Sequence, residues 1–342
     1  MENNLANSRK PVKILDGLPM LIICIVVFAV LLIMGVFRIF DNNIMRYLFK
    51  IFLYITLGTM WNLMSGFTGM TSLGQQVFVG IAGYSVAVMT STYKMSMWMG
   101  ILVGAVIAVI FAFLLSFVLF RMRGMYFAVA TWLVAEAVRL WFNSWKFVKQ
   151  GAGMTVPTKQ IPKINELYIY ALILCVLALV VVYLLLRTKT GLGLTAMRDD
   201  ADAASSVGVN IFKSKLLCYI ICSLFIALAG ALFALQKGSV FPTSFFSIDW
   251  TVAMVFITII GGVGTMAGPI LGGIIYVVLS EILAHFPGWS NIILGAIAII
   301  VIIFLPKGIM GTLMEKLHFD IFSQKRLSEP KKVKGLKEKA NI

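Results

Sequence analysis

The sequence predicts an all-α polytopic membrane protein of about ten transmembrane helices with glycine-broken segments, and three observations carry that prediction. Of the 342 residues, 60% are hydrophobic and only 13% charged, whereas a water-soluble domain is about 45–50% apolar and about 25% charged. Ten apolar runs, most of them near the ~20 residues that a spanning helix needs, use up most of the chain and leave no room for a sizeable soluble domain. Two of the runs are interrupted by stretches dense in glycine.

Residues 1–18 are polar, carry Arg9, Lys10 and Lys13, and form an N-terminal tail. Met20 to Phe37 is then an unbroken apolar run without a small-x-small cleavage site near its end, which reads as a retained first helix and not as a removable signal peptide. Further runs follow at about 47–64, 75–93, 98–120, 125–145, 167–186, 216–236, 250–262, 267–285 and 291–305, the stretch at 250–262 being short. The membrane region therefore covers 19–306. Beyond it, 307–342 is a basic tail ending in Lys331, Lys332, Lys334, Lys337 and Lys339, without apolar periodicity after about Phe322. Such a tail is expected to be disordered and to touch anionic lipid.

The charge balance sets the orientation. With 29 Lys and Arg against 14 Asp and Glu, the net charge is +15, and a cytoplasmic N-terminus places 19 of the 29 on the inner side. Both termini are then cytoplasmic. Lys146, Lys149, Lys159 and Lys163 fall in one longer outer loop, and Trp98, Trp145, Trp250 and Trp289 all fall at outer helix ends, where indole rings favour the interface. The basic total comes without a nucleic-acid-binding signature, so no nucleic acid partner is expected. Cys24, Cys175, Cys218 and Cys222 lie in apolar runs and read as small hydrophobes, although Cys218 and Cys222 share a helix face. His285 and His318 offer no metal cluster, and no cofactor is expected on this chain.

Three features need more than hydrophobicity. The first is the pair of glycine stretches, Gly66 to Gln76 and Gly261 to Pro269. Non-helical backbone at membrane depth is tolerated where it is buried in protein or lines a water-filled path; small residues also allow close helix packing or simple turns, and the residues leave these readings open. The second is Glu136 with Arg139 in the fifth run, about 17 Å from its start. Their spacing puts them on one helix face, where they can neutralise each other and should face the bundle interior, as a packing lock or as a substrate contact. Glu281 is a similar acid without a local partner. The third is the longest inner loop, 187–215, in which Thr195 or a neighbour can cap a short helix with Asp199, Asp200 and Asp202 near its start. Ala196, Met197, Ala201, Ala204 and Val207 then form an apolar stripe fit for a cleft on a soluble partner, or for a solvated connector.

Taken together, Gly-Phe-Thr-Gly-Met-Thr-Ser-Leu-Gly-Gln (66–75), Arg-Gly-Met-Tyr-Phe-Ala (123–128), Ala-Glu-Ala-Val-Arg-Leu (135–140), Gly-Ala-Gly-Met (151–154), Ala-Met-Arg-Asp-Asp (196–200) and Gly-Gly-Val-Gly-Thr-Met-Ala-Gly-Pro (261–269) give the chain a family likeness. It resembles, from about Tyr54 to Pro306, the permease subunits of branched-chain amino acid ABC importers, the LivM-like group of the LivH/LivM family. The resemblance implies ABC importer permease architecture and a non-enzymatic channel half in a bacterial cytoplasmic (inner) membrane. Its implied partners are a second related permease, two cytoplasmic ATPases that carry the ATP and Mg, and an extracytoplasmic binding protein. Asp202-Ala-Ala-x-x-x-Gly208 resembles the importer coupling motif Glu-Ala-Ala-x-x-x-Gly, which implies an ATPase-docking role for Ala196, Met197, Arg198, Asp199, Asp202, Ala203, Ala204 and Gly208. The chain departs from the pattern in lacking the Ile-x-Leu-Pro that follows this motif in many importers. It also has Gln75 where family members commonly carry His.

On this reading a 194–208 helix is pushed by ATPase closure and flips a cavity from outward to inward access. The substrate is a small hydrophobic zwitterion whose carboxylate suits exposed amide ends near Thr71, Ser72 and Gln75. Glu136, Arg139, Gly264 and Thr265 complete the expected pathway. The loops 151–157 and 239–249 are candidates for the binding-protein dock. Related permeases move urea, short amides or sugars, so these remain alternative substrates. A rival of another class is an ion-coupled transporter in which Glu136 or Glu281 carries a proton or Na⁺. A membrane enzyme finds no support, since the chain has no nucleophile motif and no Gly-x4-Gly-Lys-[Ser/Thr].

Overall fold

The computed structural model describes residues 28, 30–37, 40–286 and 289–317. The 1–18 tail, most of the run at 20–37, and the basic tail after 317 lie outside the described residues; what is described of the first run is helical at 28 and 30–36. Helix α1 (Asn42–Asn62) passes directly into a π-helical turn, Leu63–Phe67, at the first glycine stretch. Helices α2 (Gln76–Ser91), α3 (Met97–Leu119) and α4 (Met125–Ser144) run back and forth. Short 3-10 turns and strand β1 (Met154–Thr155) then cross one end of the bundle to α5 (Ile164–Arg187). At the opposite end α6 (Lys189–Asp199) and α7 (Ala201–Ser206) form a small pair before α8 (Ile211–Lys237). The chain closes with β2 (Ser239–Val240), the single turn α9 (Pro242–Phe245), α10 (Asp249–Gly261), α11 (Gly268–Leu283), α12 (Ser290–Phe304) and α13 (Gly308–Leu317).

The all-α polytopic architecture is as the apolar runs foretell, but the ten expected spans are unequal. Among the described residues six units are long and apolar enough to cross a membrane: α3, α4, α5, α8, Pro242–Gly261 and Ile292–Leu313. The run at 250–262 was expected to be short; α9 lies directly ahead of α10 and extends that unit. Helices α2 and α11 are apolar but have 16 residues each, or ~24 Å against the ~30 Å of a hydrocarbon core. These are the two helices that follow the glycine stretches. Past 306, α13 packs on α10. Its Met310 is buried, so the first turns of that segment have an apolar face of their own.

Helices α2 and α8 form the centre, packed on each other and on α3, while α1 packs on α5, α10 and α11. Close packing comes from small residues: a Cβ added at Gly230 on α8 would lie 2.6 Å from the Val79 Cα of α2. In a membrane, where lipid is as apolar as the helix surface, such close contact is a main source of association. An aromatic seam links α2 to its neighbours, with Tyr84, Phe142 and Phe246 at ring separations of 4.9–6.0 Å. At this end β1 pairs antiparallel with β2, Met154 opposite Val240, both buried. The ladder joins the 151–157 and 239–249 segments, which are far apart in sequence, into one surface. The cations Arg121, Arg123, Arg187, Lys189, Arg198, Lys213 and Lys215 gather at the opposite, α6–α7 end.

Replacing Gly230 by Leu should block the α2–α8 contact and remove the monodisperse folded species from detergent size-exclusion chromatography. Gly295→Leu is the control, because a Cβ there meets nothing within 4 Å, and it should leave the profile unchanged.

Candidate functional site

The two glycine stretches meet at the α6–α7 end. Gly66 lies in the π-helical turn, and a Cβ there would fall 2.6 Å from the Gly264 nitrogen and 2.2 Å from Asn62 Oδ1, so this approach requires glycine. Asn62, the buried last residue of α1, joins the two: its Nδ2 donates to the Thr265 carbonyl at 2.8 Å, and its Oδ1 accepts from the Gly264 amide at 2.8 Å. A planar amide offers one donor edge and one acceptor edge, and here it satisfies both a C=O and an N–H of a non-helical segment.

The first stretch is held from several sides. Trp61 Nε1 donates to the Ser72 carbonyl at 3.0 Å, and the Leu73 amide donates to Thr131 Oγ1 on α4 at 3.0 Å. Ser72 Oγ accepts from the Gly74 amide at 3.3 Å. Gln75 is fully buried, its Nε2 facing Met64 Sδ at 3.5 Å and its Oε1 without a hydrogen-bond partner among the described residues. Thr71 is exposed and lines a cavity of about 160 Å³. In the second stretch Thr265 Oγ1 donates to the Gly262 carbonyl at 2.8 Å and accepts from the Gly268 amide at 3.1 Å, which caps the start of α11. Of the expected pathway residues, Thr71, Ser72, Gln75, Gly264 and Thr265 therefore lie in the two stretches that meet here, and Gly264 and Thr265 are bound into local structure.

The long inner loop differs from the single helix expected over 194–208. It forms two helices, with Thr188 and Asp200 as caps in place of Thr195: the Gly191 amide donates to Thr188 Oγ1 at 3.2 Å, and the Asp202 and Ala203 amides donate to Asp200 Oδ1 at 2.9 and 3.0 Å. A carboxylate outcompetes a hydroxyl for exposed helix amides, while the Thr195 hydroxyl turns back to the Leu192 carbonyl at 3.0 Å. Except for exposed Val207, the apolar stripe faces inward. Leu194, Met197 and Ala204 are buried in this chain and Ala196 and Ala201 are half-buried, so the side left open on α7 is Asp202, Ala203, Ser206 and Val207. Gly208 ends this turn at φ +89°, a left-handed conformation that favours glycine.

Arg198 leaves α6 toward the crossing of the two stretches. Its Nη1 donates to the Gly66 carbonyl at 2.9 Å, its Nε donates to Asp199 Oδ1 at 3.1 Å, and Nη1 lies 3.2 Å from where a Gly264 Cβ would be. One guanidinium on the α6–α7 pair thus binds the first break and lies beside the second. Arg123 and Asp202 form a longer, largely exposed pair at 3.4 Å, worth little energetically.

Glu136 and Arg139 form an ion pair on α4, Arg139 Nε donating to the two carboxylate oxygens at 3.0 and 2.9 Å. They were expected to face the bundle interior, but both are half-exposed on a face that this chain leaves uncovered, beside exposed Leu133, Leu140 and Trp141. Glu281 has a partner that sequence spacing could not name, Lys50 of α1, at 2.8 Å. Among the described residues no group of three or more His, Cys, Asp or Glu is placed to hold a metal. Cys175, Cys218 and Cys222 are buried and free. Sequence reading missed Asn62, Trp61, Thr131 and Lys50, polar residues inside apolar runs whose partners lie far along the chain.

Residues 43–303 match the family described as branched-chain amino acid transport system / permease component. The chain is 30% identical over 292 residues to the high-affinity branched-chain amino acid transport system permease protein LivM of Escherichia coli (strain K12), covering 75% of this chain and 68% of that protein. It is 29% identical, over the same shares, to the LivM protein of Salmonella typhimurium. A shorter similarity, 32% over 146 residues, covers 40% of this chain and 41% of the fructose import permease protein FrcC of Rhizobium meliloti. No solved structure matches the chain.

Asn62→Leu would keep the bulk and strand the Gly264 amide and Thr265 carbonyl, each costing about 1–3 kcal/mol. A clear fall in the thermal unfolding midpoint in detergent is expected. Thr59→Val, at a buried hydroxyl without a hydrogen-bond partner among the described residues, should leave the midpoint unchanged or raise it.

Proposed function

The chain belongs to the family of branched-chain amino acid transport permease components, and on that premise we propose that it is a transmembrane permease subunit of an ATP-driven importer moving branched-chain or other hydrophobic amino acids. The observation that carries the reading furthest is the reach of Arg198 from α6 to the Gly66 carbonyl, next to the segment that Asn62 holds. It gives the α6–α7 pair a direct connection to the first break in the membrane helices and, through Asn62, to the second.

In this reading the α6–α7 end is cytoplasmic, as are both termini. One of the importer's two ATPase subunits docks against the open face of α7, around Asp202, Ala203 and Val207, and closure of the ATPase pair moves α6. Arg198 carries the motion to the glycine stretches, where Thr71, Ser72 and Gln75 border the path. ATP and Mg are bound by those partner chains, and this chain binds no cofactor and performs no hydrolysis. The half-exposed Glu136–Arg139 pair would be costly against lipid, which supports a second permease covering that face of α4. The surface joined by the β1–β2 ladder, at the outer end, receives the binding protein.

An ion-coupled mechanism would need a carboxylate free to load a proton or Na⁺. Glu136 already holds Arg139 and Glu281 holds Lys50, which weighs against it. Sugar transport is the weaker alternative, because the similarity to sugar permeases covers less of the chain.

The test is a pull-down of the tagged chain from cells, with Ala203→Arg and Val207→Glu as variants. Both residues are exposed, unlike the buried Ala204, so the variants should fold. ATPase chains should co-purify with the wild type and be lost from both variants. Absence of any ATPase, together with leucine accumulation by proteoliposomes of this chain alone under an ion gradient, would overturn the reading.

A further inference from the structure

The cavity of about 160 Å³ at the α6–α7 end brings beside Arg198 two cations, Arg123 and Lys215, that the import reading does not use. It lies between the first glycine stretch, the α3–α4 turn and α6, and its lining includes Thr71, Arg123, Gly124, Met197, Arg198 and Lys215. None of its lining residues is acidic. Arg198 is engaged with Gly66 and Asp199, and Arg123 reaches Asp202 only at 3.4 Å, with both side chains largely exposed. Lys215, half-buried near the start of α8, makes no hydrogen bond or ion pair with any described residue. A partly desolvated ammonium without an acceptor beside a second cation is an unfavourable arrangement unless an anion joins it.

The surroundings say which anion. Phe120 lines the cavity and contacts Phe212, which contacts Phe117, at ring separations of 5.8 and 5.9 Å. Phe117, Phe212 and Leu217 are exposed and carry the apolar surface from the cavity mouth along α3 and α8. Charge at the end of an apolar helix surface is the pattern that meets the headgroup and upper acyl region of a membrane leaflet. We propose that this cavity binds a phosphate group, presented by the headgroup of an anionic lipid whose chains lie along Phe117, Phe212 and Leu217. Lys215 and Arg123 take the phosphate oxygens, the Thr71 hydroxyl is within the same cavity, and Arg198 keeps its bond to Gly66. Lipid occupancy would then brace the segment next to the Arg198 contact, independently of which solute is moved.

The experiment measures the thermal unfolding midpoint of the full chain in neutral detergent, with added phosphatidylglycerol, phosphatidylcholine or inorganic phosphate. Lys215→Gln and the more exposed Arg123→Gln remove lining cations, so one informative variant remains if the other folds poorly; Lys213→Gln removes an exposed lysine outside the cavity. Phosphatidylglycerol should raise the midpoint of wild type and Lys213→Gln well above the phosphatidylcholine value, with at least half of that gain lost in Lys215→Gln and Arg123→Gln. A gain from inorganic phosphate with the same variant dependence would support the phosphate site and assign it to a free anion. No gain from either anion, or an equal loss in Lys213→Gln, would overturn the proposal.

Discussion

Everything in this bundle depends on how two segments of non-helical backbone find hydrogen-bond partners where water is scarce. Each lost backbone hydrogen bond in such surroundings costs several times its value at a wet surface. Asn62 meets the demand with one side chain, closing on the Gly264 amide and the Thr265 carbonyl together. Because that amide sits at the last turn of α1, it also fixes where α1 ends, how near Gly66 comes to Gly264, and where α11 starts.

The other elements follow from that crossing. Helices α2 and α11 are short, 16 residues each, because each begins only after a break. The aromatic seam and the β1–β2 ladder pack on α2 away from the crossing, so α2 is held by rings and apolar contacts along its length and by hydrogen bonds at its start. Arg198 is the side chain through which the α6–α7 pair hydrogen-bonds to the crossing. A guanidinium suits that task, since it can hold Asp199 and the Gly66 carbonyl in one plane with separate N–H groups.

Much of this was legible in the sequence, for identifiable reasons. Apolar runs are local signals, so the all-α polytopic class and most helix positions could be read from them. The importance of the glycine stretches could also be read, since glycine density inside a hydrophobic run is unusual. The contacts made at a distance could not: Asn62 with Thr265 joins the two stretches, Leu73 with Thr131 holds the first, and Lys50 with Glu281 pairs two helices, and spacing along one chain carries no trace of them. The loop at 187–215 was misread at its caps because Thr195, Asp199 and Asp200 are all competent N-caps. Only the φ of −154° at Asp200 and its two accepted amides decide among them. Ala204 looked like a docking residue because a helix stripe shows which residues share a face, not which side of the helix the chain itself covers.

The measurement that tests the central claim most directly is the coupling ratio, ATP hydrolysed per solute accumulated, in the importer reconstituted with the partner chains proposed for it. Wild type, Arg198→Lys and Arg198→Ala would be compared at equal subunit content. Loss of the charged hydrogen bond to Gly66 predicts that Arg198→Ala still assembles and hydrolyses ATP while solute uptake falls roughly tenfold or more, with Arg198→Lys between the two. Uptake and hydrolysis falling in proportion, or an unchanged ratio in Arg198→Ala, would contradict the account.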